Sequence, residues 1–178
     1  MAPTLANRSA DRAAAPWWLA AGLGLALLAV SARLRAVEAA ARTDPLTGLA
    51  NRRGLARAWA ARAAGPDVLF IDLKGFKAVN DRLGHDAGDR LLRAVARRLA
   101  GALAPGERIG RWGGDEFVLL TADAAAARGR VARALAWPFR LGGRAAGAVS
   151  IGFAHGVARA QADRPIERAV AEAARGMA

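Results

Sequence analysis

Two short apolar runs, Ile109 to Trp112 and Phe117 to Leu120, are separated only by Gly113-Gly114-Asp115-Glu116. So tight a gap, opened by two glycines, predicts a β-hairpin with a carboxylate pair at its turn. A third run, Val68-Leu69-Phe70-Ile71, is continuous and suits a strand buried on both faces. It ends on Asp72. If this strand neighbours the hairpin, the carboxylates of Asp72, Asp115 and Glu116 converge at one sheet edge. Crowded carboxylates repel one another unless a cation lies between them. Magnesium suits such a place, because it takes oxygen ligands from one or two carboxylates and from substrate phosphates. Two such ions serve in-line displacement at phosphorus, as in polymerases.

The rest of the chain alternates between helix and strand patterns. Asn51 to Ala64 reads as a helix carrying Leu55 and Trp59, broken by Gly65-Pro66-Asp67. Asp86 to Ala104 places Leu91, Leu92, Val95 and Leu99 at helical spacing. A helix over Ala124 to Ala136, an apolar strand over Ala148 to Ala154 and a terminal helix from Pro165 follow. This alternation indicates an α/β domain with helices packed on a sheet.

Upstream, the twenty residues from Ala13 to Ala32 carry no charge. As a helix they span roughly 30 Å, about one bilayer core. Trp17 and Trp18 mark one end, where aromatic rings prefer the membrane interface, and Arg33 and Arg35 mark the other. The reading is a single membrane anchor, with residues 1–12 as a tail and 33–43 as a helical connector. The competing readings are a cleaved signal peptide ending near Val30-Ser31-Ala32 and a buried or peripheral helix. The first 43 residues leave no room for a sensory module.

The chain has 178 residues, enough for one domain, and 54% are hydrophobic. It has no cysteine, which excludes disulfides and thiolate metal sites. A net charge of +12 suggests nucleic-acid binding. The arginines, however, are scattered through alanine-rich helices, which indicates solvated helix faces, so no nucleic-acid partner is expected. A basic surface still suits anionic lipid or an anionic substrate.

Four ordered motifs carry a family resemblance. They are Asp44-Pro45-Leu46-Thr47-Gly48-Leu49-Ala50-Asn51-Arg52-Arg53, Phe70 to Asp81, Gly84-His85-Asp86-Ala87-Gly88-Asp89, and Arg111 to Phe117. From about Thr43 onward the chain resembles the GGDEF diguanylate cyclases. The resemblance implies a ferredoxin-like nucleotide-cyclase or polymerase-palm sheet with flanking helices, an α+β arrangement, over residues 44–178. It implies condensation of two GTP molecules into cyclic di-GMP across a homodimer, with magnesium, or manganese in its place. Asp72, Asp115 and the backbone carbonyl of Leu73 match the metal ligands, and Glu116 matches the position that handles the ribose 3′-hydroxyl or the metal. Asn80 and Asp89 match the readers of the guanine edge. Gly75, Phe76 and Lys77 match the phosphate-cradling loop, and Gly113 and Gly114 let the backbone approach the nucleotide. Such a domain faces the cytoplasm, from a single-pass anchor in the cytoplasmic (inner) membrane. His85, His155 and Trp112 are given structural roles.

Three departures from the family pattern bear on activity. Lys74 stands where a second aspartate is common. Ala104-Pro105-Gly106-Glu107 replaces the Arg-x-x-Asp of the product-inhibition site, so Ala104 stands for the arginine and no inhibitory site is expected. The final helix reaches Gly176-Met177-Ala178 without the tyrosine and cations that grip phosphates in the family. The alternative to an active cyclase is therefore a weakened or inactive domain that senses GTP or regulates a partner cyclase.

Overall fold

The uncharged N-terminal run folds as one helix, α1 (Trp17–Ala40), in a computed structural model that describes residues 17–61, 67–141, 147–159 and 164–177. The tail and residues 13–16 lie outside the described residues. At ~1.5 Å per residue, α1 is roughly 36 Å long. Leu23, Leu25, Leu27, Leu28, Val30, Leu34 and Val37 are all exposed, so it lacks the polar face of a surface helix. Residues Ala20–Glu38 are long and apolar enough to cross a membrane, by length and composition. The helix passes residues 32 and 33 without a break, so the expected connector continues it as far as Ala40. The chain separates into two units, Met1–Glu38 and Ala39–Ala178, described here individually.

The second unit is built on a four-stranded sheet. Its strands are β1 (Asp67–Lys74), β2 (Arg108–Gly113), β3 (Glu116–Thr121) and β6 (Gly152–Ala158), in the order β2-β3-β1-β6. All three pairings are antiparallel. Between β1 and β2 come helices α3 (Phe76–Leu83) and α4 (His85–Gly101). Between β3 and β6 come α5 (Ala124–Leu135) and a small hairpin of β4 (Phe139–Leu141) and β5 (Gly147–Val149). This is the expected ferredoxin-like order, with β1 and β3 at the centre.

Strict alternation along β1 feeds two cores. Leu69, Ile71 and Leu73 point to one side, where they meet α4, α5 and Phe117. Val68 and Phe70 point to the other, where Leu55 of α2 (Arg52–Ala60), Val118, Leu120 and Ile166 of α6 (Ile166–Arg175) close over them. Burying each such side chain contributes about 1.5–3 kcal/mol, so the run Val68–Ile71 anchors both layers. The side chain of Asn51 caps α2 by accepting from the Gly54 amide at 3.0 Å.

Three expectations need correction. Ala148 to Ala154 is not one strand. The chain leaves extended pairing at Ser150 and Ile151, so β5 pairs with β4 while β6 pairs with β1. The stretch after Gly75 is a helix, α3, whose Phe76 and Val79 pack on the first core. The helix expected over Asn51–Ala64 ends at Ala60, and residues 62–66 lie outside the described residues.

Candidate active site

Register brings the carboxylates together. Asp72 is paired directly with Glu116 across β1 and β3, so both side chains rise from one face of the sheet. It is the face of Val68, Phe70, Val118 and Leu120, covered by α2 and α6 further along. Asp115 precedes β3 in the hairpin turn, and its carbonyl accepts from the Leu73 amide at 3.3 Å, which ties the turn to the end of β1. All three carboxylates are half-buried. Among the described residues none of their oxygens accepts a hydrogen bond or joins an ion pair, which leaves three acceptors unused at one edge.

The donor set fits a hard cation. Among the described residues no three carboxylate or imidazole side chains form a ready-made cage. The edge instead offers an oxygen-only, cross-strand pair, with Asp115 beside it. Magnesium binds in this manner, through one or two carboxylates, and completes its shell with water and phosphate oxygens. Lys74 is exposed and, two residues on, shares the side of β1 that carries Asp72.

The two expected base readers also lie near one another. Asn80 is on α3 and Asp89 on the second turn of α4. The Oδ1 of Asn80 is buried and without a hydrogen-bond partner in the described structure. It rests on Gly88, where an added Cβ would stand 1.9 Å from that oxygen, so the approach of α3 to α4 requires glycine there. An orphaned buried acceptor costs about 1–3 kcal/mol unless a ligand donor satisfies it. Asp89 is half-exposed and only loosely paired with Arg93, at 3.9 Å. Gly75, with φ +82, is the left-handed N-cap from which Phe76 and Lys77 begin α3. Lys77 is exposed. Gly113 faces Glu116 across the turn, and Gly114 has open space where a side chain would stand.

Several contacts here had no sequence signal. Arg111 reaches 67 residues back to Asp44 at 3.3 Å and donates Nε and Nη2 to the Gly114 carbonyl at 2.8 and 2.7 Å. Asp44 also accepts from the Thr47 amide at 2.9 Å and hydroxyl at 2.6 Å. Burial pushes the Asp44 carboxyl up, but Thr47 and the Arg111 guanidinium together hold it below its ordinary value. Arg52 donates Nε to the Trp112 carbonyl and lies 5.0 Å over the Trp112 ring, which itself packs on the second core. His85 opens α4 in an exposed position. His155 meets Arg128 at 3.3 Å and the Phe153 ring at 5.9 Å, consistent with the structural roles expected of both.

The stretch matching the inhibitory site is built differently from a ligand site. Glu107 is buried and accepts from the Ala104 amide at 2.7 Å, the Thr121 hydroxyl at 2.6 Å and Arg130. Burial pushes its carboxyl up, while Thr121, Ala104 and Arg130 more than reverse this and leave it below the ordinary value.

Comparison with known proteins agrees with this geometry. The family model for the diguanylate cyclase GGDEF domain matches residues 41–177. The crystal structure of the diguanylate cyclase SiaD of Pseudomonas aeruginosa, in complex with its activator SiaC, superposes with a TM-score of 0.70 at 29% identity. It covers 90% of this chain and 66% of that one. Diguanylate cyclase DgcP of Escherichia coli is 39% identical over 112 residues, 56% of this chain and 33% of the relative. Cyclic di-GMP phosphodiesterase PdeB of Shewanella oneidensis is 43% identical over 83 residues, 45% of this chain and 10% of the relative. The chain thus spans a third or less of the length of these two curated relatives.

Proposed function

Because this chain belongs to the GGDEF-domain family of diguanylate cyclases, we propose that it condenses two GTP molecules into cyclic di-GMP and releases two pyrophosphates. The observation that carries the reading is the in-register pairing of Asp72 with Glu116, with Asp115 adjoining and all three carboxylates unpartnered among the described residues. In each half-reaction the ribose 3′-oxygen of one GTP attacks the α-phosphorus of the other. The P–O bond to pyrophosphate breaks as the new phosphodiester bond forms. Each domain holds one nucleotide, so two copies must face one another, and the apolar α1 would raise their effective concentration in a membrane.

We assign Asp72, Asp115 and the Leu73 carbonyl to magnesium, which when bound supplies charge neutralisation at the phosphates and lowers the pKa of the attacking hydroxyl. Glu116 is assigned to the ribose 3′-hydroxyl, as the acceptor of its proton. Asn80 and Asp89 hold the guanine edge, where Asn80 Oδ1 gains the donor it lacks and Asp89 accepts from the ring nitrogens. Gly75, Phe76 and Lys77 hold phosphate oxygens, and the bare backbone at Gly113 and Gly114 lets the sugar come close. Positioning of this kind supplies much of the rate in phosphoryl transfer. The domain works on the cytoplasmic side, from a single-pass anchor in the cytoplasmic membrane.

Exposed Lys74, on the same side of β1 as Asp72, favours a second reading as a weakened domain that senses GTP without turnover. Incubation of the purified chain with GTP and magnesium, with cyclic di-GMP read by mass spectrometry, separates the two. Product that is lost in Asp115→Ala supports the cyclase. A folded dimer that binds GTP and yields no product overturns it in favour of the sensor.

A further inference from the structure

A cleft of about 450 Å³ lies between the turn that enters the domain, the first turn of α2 and the Gly113–Gly114 turn. Arg52, Arg53 and Arg111 line it against one carboxylate, that of Asp44. Arg111 and Asp44 are already committed to each other and to the turns they join. That leaves two cations in excess. Arg53 has no hydrogen bond or ion pair among the described residues and is exposed. Arg52 is fixed by its Nε bond to the Trp112 carbonyl and by stacking on the indole, yet those contacts leave its terminal nitrogens unused.

The cleft adjoins the carboxylate edge. A Cβ built on Gly113 would stand 3.2 Å from Arg52 Nη2 and 3.2 Å from Glu116 Oε2, so both groups flank the same bare backbone. Glu116 shares its sheet face with Asp72, and α2, which begins at Arg52, packs on that face. A stacked, pre-oriented guanidinium offers a planar fork that matches phosphate oxygens, and a second free arginine beside it adds charge. A group bound here would reach the site occupied by the nucleotide under the cyclase reading.

We propose that this cleft binds a phosphate group of a guanine nucleotide, with Arg52 and Arg53 as its binding residues. The inference rests on the reading that a guanine nucleotide occupies the neighbouring carboxylate edge. Two sources share this chemistry, the triphosphate of GTP and the phosphodiester of the cyclic product.

Calorimetric titration of the full chain in detergent, with inorganic pyrophosphate, a non-hydrolysable GTP analogue and cyclic di-GMP as three arms, tests it. Pyrophosphate binding is expected to weaken about tenfold in Arg52→Ala/Arg53→Ala, the effect of losing one charge-assisted contact. It should also weaken as salt rises. A loss larger for the GTP analogue assigns the cleft to the triphosphate, and a loss larger for cyclic di-GMP assigns it to the product. Because Arg52 also holds Trp112, Arg53→Ala alone is titrated as well. Wild-type protein is labelled with phenylglyoxal in parallel, and pyrophosphate is expected to shield both arginines. Unchanged pyrophosphate affinity in both variants, without shielding, overturns the proposal. The pyrophosphate arm needs no turnover, so it stays readable if the wild type makes no cyclic di-GMP and the cyclase reading falls.

Discussion

Two groups of carboxylates in this domain have been given opposite surroundings. Glu107 is buried, and its oxygens meet the Ala104 amide, the Thr121 hydroxyl and Arg130. Arg130 is fixed further by donating Nε to the Ala102 carbonyl at 3.1 Å. Asp72, Asp115 and Glu116 crowd one sheet edge with no such partners among the described residues. A desolvated charge costs several kcal/mol unless it is paired and hydrogen-bonded, and Glu107 meets that condition within the chain. The sheet-edge group does not, and folding alone would not select it. Carboxylates that the fold saturates hold structure together, and carboxylates it leaves open are available to a ligand. The same contrast explains why the stretch around Ala104 and Glu107 does not serve as a ligand site, since its acid is already spent inside.

The largest effect is expected from Asp115→Ala. Turnover of GTP should fall by at least about 100-fold, the scale of losing one preorganised charged group at a reacting centre. Thermal stability should be unchanged or slightly higher, because one of three mutually repelling charges is gone. Parallel assays of cyclic di-GMP formation and thermal unfolding check this, and a clear loss of stability would break the contrast. Glu107→Ala should behave in the opposite sense. It leaves Arg130 and the Thr121 hydroxyl without their acceptor, so denaturant unfolding should report a loss of about 3 kcal/mol. Activity per folded molecule should stay within a few-fold of wild type.

Acid separates the two groups again. The Glu107 carboxyl is depressed from an ordinary value of 4.5. Near that pH the unfolded chain therefore binds more protons than the folded one. The stability that Glu107 contributes is full above about pH 4.5 and is lost as pH falls through the lower folded value. Glu107→Gln should be less stable than wild type at pH 7, and the gap between them should narrow as pH falls below 4.5. Unfolding curves from pH 7 to pH 3 measure this, and a gap that widened toward acid would contradict the assignment.

How much of this was legible beforehand depended on how far each contact reaches along the chain. The strands β1, β2 and β3 showed as apolar runs, and Asp72, Asp115 and Glu116 could be placed because they stand at run ends. The break at Ser150 was invisible, because Ala148 to Ala154 is uniformly apolar or small and only pairing with β4 or β1 divides it. Helix α3 had a signal that was not used, since Phe76, Val79 and Leu83 recur at helical spacing. Arg52 on Trp112, Arg111 on Asp44 and Arg130 on Glu107 join residues 60, 67 and 23 apart. Nothing local distinguishes these arginines from the many that lie on solvated helix faces.

Asp44 lies between the two extremes and sharpens the comparison with the smallest expected effect. Its carboxylate is mostly covered and accepts from Thr47 and Arg111, so it is a saturated acid, but the turn it closes adjoins the hairpin of the open ones. Asp44→Asn keeps the shape and an acceptor for Thr47 while removing the charge that Arg111 meets. Arg111 would still donate twice to the Gly114 carbonyl, so the Gly113–Gly114 turn keeps its tether. The expected cost is therefore about 1 kcal/mol in denaturant unfolding, the scale of one weakened charge-assisted bond, with turnover reduced no more than a few-fold. If turnover instead collapsed while stability held, Asp44 would belong with the open carboxylates. Saturation inside the fold would then no longer separate structural acids from those that serve a ligand.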